Sequence, residues 1–87
     1  MTEKQIMADV LNRLVNSGHW GKGHQNIDQL VGWMKEYVKE NGARIKKAIH
    51  RLRQERLIGH KKGGKTIYLN RRYIKEIYGF IDKHLEN

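Results

Sequence analysis

The sequence predicts a mainly α fold with a small antiparallel β-hairpin and a C-terminal helix. Three observations lead there. Apolar residues recur three and four apart in four separate stretches, the spacing of one helix face. Residues 57–70 alternate instead and are split by Gly63-Gly64, a two-residue turn of the kind that needs positive φ. Eighty-seven residues without cysteine allow one small core with no disulfide to staple it.

Thr2 and Gln5 match a capping box, in which each side chain reaches the other residue's backbone N–H. The helix they start, residues 3–17, carries Ile6, Met7, Val10, Leu11, Leu14 and Val15 on one stripe, and Gly18 supplies its left-handed cap. Residues 19–25, HWGKGHQ, form a loop with glycines at 21 and 23. His19 and His24 flank Trp20, but two histidines without a third ligand make a poor metal site. No metal or other cofactor is expected. Trp20 folds back over the core and the histidines face solvent, or else the segment adds a short first strand beside the hairpin.

Asn26 caps a second helix with the stripe Ile27, Leu30, Val31, Met34 and Val38. Trp33 and Tyr37 lie on its flank as peripheral core. Gly32 within it points to close approach by another backbone. Glu40-Asn41-Gly42 is a tight turn, since Asn and Gly tolerate left-handed φ. Helix 3, residues 43–56, puts Ile45, Ile49 and Leu52 on one face and Lys47, His50 and Gln54 opposite, with Lys46 and Arg51 beside them. Strands at 57–62 and 65–70 bring Lys61, Lys62 and Lys65 around the turn. In the second strand Ile67 and Leu69 face one way, Thr66 and Tyr68 the other. Asn70 caps helix 4, residues 71–85, which carries Ile74, Ile77, Ile81 and Leu85, widened by Tyr73, Tyr78 and Phe80.

The charge is unevenly placed. Residues 1–43 hold five Lys or Arg against five Asp or Glu; residues 44–87 hold thirteen against four, which accounts for the whole net charge of +9. A surface charged for solubility would spread it. Segregation points to a polyanionic partner. Arg71 and Arg72 open helix 4 against its dipole, which suggests phosphate contacts instead of local stability. No apolar run approaches a membrane span, and MTEKQIMADV lacks the basic start and apolar stretch of a signal peptide. The expected place is the cytoplasm, associated with the nucleoid, with no membrane and no small-molecule ligand.

Residues 26–70 together, and IHRLRQERLIGHKKGGKTIYLN most of all, resemble the winged helix-turn-helix family of DNA-binding domains. Helix 1 fits the family's leading helix. Three features depart from the pattern: helix 2 looks long, the turn before helix 3 lacks the usual small residues, and Arg56 stands where Gly or Asn is common. The resemblance implies a DNA-binding domain over residues 1–70, with residues 71–87 forming a helix for core packing or dimerisation. It implies helix 3 in the major groove of double-stranded DNA and the wing on the adjacent backbone or minor groove, as in a small sequence-specific transcriptional regulator. Arginine grips guanine O6 and N7 with two donors, and glutamine does the same for adenine. Arg44, Lys47, His50, Arg51 and Gln54 are therefore the candidate base readers. Lys46, Arg53, Lys61, Lys62, Lys65, Arg71 and Arg72 are the candidate backbone contacts, which position without specifying.

The apolar arc of helix 4 is broader than one small domain usually buries. It either packs on helix 1 or pairs with a second copy, and a homodimer through Tyr73, Ile77, Phe80, Ile81 and His84 is expected. Half-sites would then lie about 34–36 Å apart. Two other classes compete. An RNA-binding, ribosome-associated or architectural role suits the basic surface equally, but no aromatic platform for single-stranded bases is evident. A protein-interaction module would use Trp20, Trp33 and Tyr37 as its contact face. No enzyme is expected: the nine carboxylates form no acid–base pair and no nucleophile motif is present.

Overall fold

Thr2 and Gln5 form the expected reciprocal cap, with Thr2 N–H donating to Gln5 Oε1 at 2.8 Å and Gln5 N–H to Thr2 Oγ1 at 3.1 Å. From it runs α1 (Glu3–Asn16), ended at left-handed Gly18 (φ 71°). There the N–H of His19 donates to the Leu14 carbonyl and that of Gly18 to the Val15 carbonyl, which satisfies two helix-end acceptors. The computed structural model describes residues 1–21, 24–40 and 42–85. Gly23 of the expected loop and Asn41 of the expected turn lie outside them. After α1 come β1 (Gln25–Asn26), α2 (Ile27–Met34), α3 (Ala43–Gln54), β2 (Ile58–Lys61), β3 (Thr66–Leu69), a 3-10 turn (Arg71–Tyr73) and α4 (Ile74–His84). Among the described residues the fold is mostly helical, with four α-helices beside a three-stranded antiparallel sheet of order β1-β3-β2.

The sheet is the short-strand alternative for the loop made real. Gln25 pairs with Ile67 and Asn26 with Thr66, so β3 is central and the hairpin is not a bare two-stranded ribbon. The hairpin itself is narrower than expected. Lys61 faces Thr66, which leaves a four-residue loop, 62–65, in place of the two-residue Gly63-Gly64 turn. The reason is that Lys62 also takes positive φ (55°), ahead of Gly63 and Gly64. Gly64 N–H donates to the Lys61 carbonyl and Lys65 N–H to that of Lys62.

Helix 2 corrects the sequence reading most. It has eight residues, and the chain leaves it in turns before Val38, which is buried all the same. The Val38 N–H still donates to the Met34 carbonyl, so the valine reaches the core from the turn following the helix. Gly32 has open space where a Cβ would stand, so among the described residues no other backbone approaches it. The close approach is at Gly42, where a Cβ would lie 2.6 Å from Val31 Cγ1 and φ is 84°. Trp33 and Tyr37 are exposed, at 47% and 65%, instead of serving as peripheral core.

α3 stops at Gln54, two residues early, and its end repeats the device that ends α1. Leu57 N–H donates to the Leu52 carbonyl and Arg56 N–H to that of Arg53, with Arg56 in the left-handed position at φ 64°. The buried side chains of Leu52 and Leu57 bracket this cap. Asn70 caps the 3-10 turn, accepting from Arg72 N–H, so Arg71 and Arg72 precede α4 and do not form its first turn.

One core serves the whole. It joins Leu11 and Leu14 of α1, Leu30 of α2, Leu52 of α3, Leu69 of β3 and Ile77 of α4. Ile77 is fully buried and Ile81 nearly so. That overturns their assignment to a dimer surface, because a side chain closed off within its own chain has no area left for a second copy. The apolar side chains α4 leaves in solvent are Ile74 and Tyr78, at 45% and 46% exposure. Tyr73, Phe80 and His84 are half-buried, with the Phe80 and His84 rings 4.5 Å apart. Among the described residues no helix is long and apolar enough to cross a membrane.

Candidate nucleic-acid interface

α3 owes its position to one apolar stripe. Ile45, Ala48, Ile49 and Leu52 are buried, and turning the helix to bury them sends Lys46, Lys47, His50, Arg51 and Gln54 into solvent. Four of the five expected base readers thus share the open face. Arg44 sits at its edge, half-buried, with its guanidinium donating to the Met1 carbonyl. Arg53 lies at the opposite edge, also half-buried.

The Arg53 edge closes on the hairpin. A cleft of about 300 Å³ runs between α3 and the loop, with Lys46, His50, Arg53 and Lys65 on its walls and Asp28 of α2 among them. Lys46 and Lys65, 19 positions apart in sequence, are therefore brought into one cationic channel. Lys61 and Lys62 are exposed beyond it. The Lys61 ammonium lies 5.6 Å from the centre of the Tyr68 ring. Tyr68 in turn covers Gly59, where an added Cβ would stand 2.4 Å from the ring.

On the other edge lie groups that sequence reasoning missed. Glu3, in the first turn of α1, places its carboxylate 3.7 Å from Arg51 Nε and 4.0 Å from Lys47 Nζ. With Glu40, Ala43 and Arg44 it lines a second cleft of about 380 Å³. The N-terminal half is neutral as a sum, but Glu3, Asp28 and Glu40 all border α3. No local signal could have shown this, because the pairing exists only where α1 packs across α3.

Arg71 and Arg72 do not belong to that channel's walls. The Arg71 guanidinium donates to the Trp20 carbonyl at 3.3 Å and packs over Gly21. It lines a separate depression with Trp20, Ile74 and Tyr78, in which the Trp20 and Tyr78 rings are 6.1 Å apart. Trp20 does fold back onto the core, as expected. The histidines beside it are only partly solvated. Both are half-buried, and His19 Nδ1 and His24 Nε2 have no hydrogen-bond partner among the described residues. The His24 ring lies 5.7 Å from Tyr68. Burial lowers its pKa below 6.5, and the charges of Lys61, Lys62 and His19 push the same way. His84 is lowered likewise by burial, then by Lys4 and Lys83. Among the described residues no three His, Asp or Glu side chains are grouped to hold a metal ion. Tyr37 lies under the Arg13 guanidinium, 5.8 Å from its ring centre, well apart in partners from Trp20.

No protein-family model matches this chain, and comparison with curated proteins and with solved structures gives no match either.

Proposed function

We propose that this chain is a winged helix-turn-helix protein that binds double-stranded DNA in a sequence-dependent manner, as a small transcriptional regulator working on the nucleoid. One observation carries the reading: the open face of α3 is cationic along its length and continues into a channel shared with the hairpin. The major groove is about 12 Å wide and admits one helix. Lys47, His50, Arg51 and Gln54 would meet base edges there. Lys46, Arg53, Lys61, Lys62 and Lys65 would hold phosphates on the hairpin side. Arg44 joins the base readers only at the margin, and Arg71 and Arg72 would meet backbone only if DNA extends past the 3-10 turn. The protein has no catalytic role in this reading. Pairing of two copies would use the exposed Ile74 and Tyr78 of α4, with Tyr73, Phe80 and His84 beside them.

Selection from a random duplex library at about 150 mM salt tests this. An enriched palindrome supports a dimeric, sequence-reading regulator, and a single motif supports a monomeric one. Binding without enrichment removes the base-reading role and leaves an architectural or RNA-binding one. Arg51→Ala or Lys47→Ala should cost about 1–3 kcal/mol on the selected site, whereas Lys62→Ala should weaken all duplexes alike. Equal losses on random DNA for both kinds of variant would defeat the assignment. A protein-interaction role is the second reading, favoured by the exposure of Trp33 and Tyr37. Replacing both with alanine would then abolish a partner contact while DNA binding is kept.

A further inference from the structure

Two cations on the open face of α3 are already engaged. Lys47 and Arg51 lie one turn apart on the helix and share a single carboxylate, that of Glu3. Glu3 does not drift with the chain end. The reciprocal Thr2–Gln5 cap fixes the first turn of α1, and the packing of α1 across α3 fixes its distance from the cations. The ion pair to Arg51 runs through Nε, whose N–H shares an edge of the guanidinium with only one of its two terminal amino groups. The other edge, formed by the two terminal amino groups, can still meet guanine O6 and N7 as a pair. Arg44, on the same flank of α3, is tied to the Met1 carbonyl. One short N-terminal segment thus touches three of the five side chains expected to read bases.

We infer that Glu3 is a positioning residue of the proposed DNA interface: it holds Lys47 and Arg51 over the groove-facing side of α3 and withholds them from phosphates on unrelated sequence. This rests on the DNA-binding reading above. Long basic side chains gain most from phosphates when they are free to swing, and lose rotamer freedom when they bind. A carboxylate within 4.0 Å of both offsets one of their two charges in the free protein and lowers their gain on random DNA. At a cognate site, base edges take the free donors without displacing the pair. Glu3 therefore lowers affinity for random DNA and raises the preference for the correct one.

The test is the salt dependence of binding to a random-sequence duplex for the full chain and for Glu3→Gln, with Asp82→Asn as a charge-matched control on α4. Each phosphate newly neutralised steepens the log–log slope by about 0.9. Glu3→Gln should steepen it by about 0.9 to 1.8, so its gain over wild type at 50 mM salt should exceed that at 200 mM by roughly three- to twelvefold. In a Lys47→Ala/Arg51→Ala background, Glu3→Gln should have no effect. That result cannot come from a general change in net charge or from a weakened first helical turn, which circular dichroism monitors directly. A slope unchanged by Glu3→Gln, or one changed equally by Asp82→Asn, overturns the inference and leaves the DNA reading standing. So does an effect that persists without Lys47 and Arg51. Failure of the wild-type chain to bind duplex DNA at low salt overturns both.

Discussion

Arg56 bears a side chain where the backbone favours none. It closes the end of α3 at φ 64°, a conformation that costs a non-glycine residue about 1–2 kcal/mol. Glycine would remove that cost but add about 0.5–1 kcal/mol of unfolded-chain entropy. Arg56→Gly should therefore stabilise the fold by roughly 0.5–1 kcal/mol and raise Tm by about 2–8 °C; a lower Tm on thermal unfolding would refute this. His24 carries the opposite kind of strain. Its pKa is held below 6.5 in the fold, by burial first and then by Lys61, Lys62 and His19. The unfolded chain takes up the proton more readily, so acid favours unfolding. The stability it contributes is intact above pH 6.5 and is lost as pH falls through its lower folded value. Between about pH 7 and pH 5, Tm should fall less steeply in His24→Gln than in wild type. Equal falls would remove His24 as a source.

Between elements, the junction of α2 and α3 is tightly packed at Gly42. Gly42 combines positive φ with a backbone so close to Val31 that a Cβ would overlap it. Gly42→Ala should destabilise by about 2–4 kcal/mol, strain and overlap together, as read by denaturant unfolding. A loss under about 1 kcal/mol would mean that Val31 can retreat at little cost. Elements whose ends are set by local chemistry were legible. α1 was read to within one residue because Thr2, Gln5 and Gly18 mark both of its ends. α2 was read too long because Val38 continues the apolar period, although the chain has already left the helix when that side chain enters the core. The hairpin loop was read too short because only tertiary context puts Lys62 in a glycine-like conformation.

For the whole molecule, the even charge of residues 1–43 and the excess in residues 44–87 take on a geometry. The excess gathers on α3 and the hairpin, and three acids of the first half, Glu3, Asp28 and Glu40, border it. Neutralising six to ten phosphates would lower affinity by about 10³–10⁵ between 50 and 200 mM salt. With Lys47 and Arg51 paired to Glu3 and Arg44 bonded to Met1, the fall should lie near the lower end. Titration at several salt concentrations measures it, and a slope near zero would exclude phosphate contacts as the basis of binding.

By itself the sequence determined the helical class, the ends of α1, the apolar back and cationic front of α3, and the charge asymmetry. Each of these depends on residues within a few turns of one another, where period and capping chemistry act. Only the tertiary structure decided that β1 joins the sheet, that Ile77 and Ile81 are core, and that Trp33 and Tyr37 stay in solvent. It also placed Glu3 against Lys47 and Arg51, more than forty positions away. These outcomes depend on which faces meet across the core, and a one-dimensional pattern does not carry that distance.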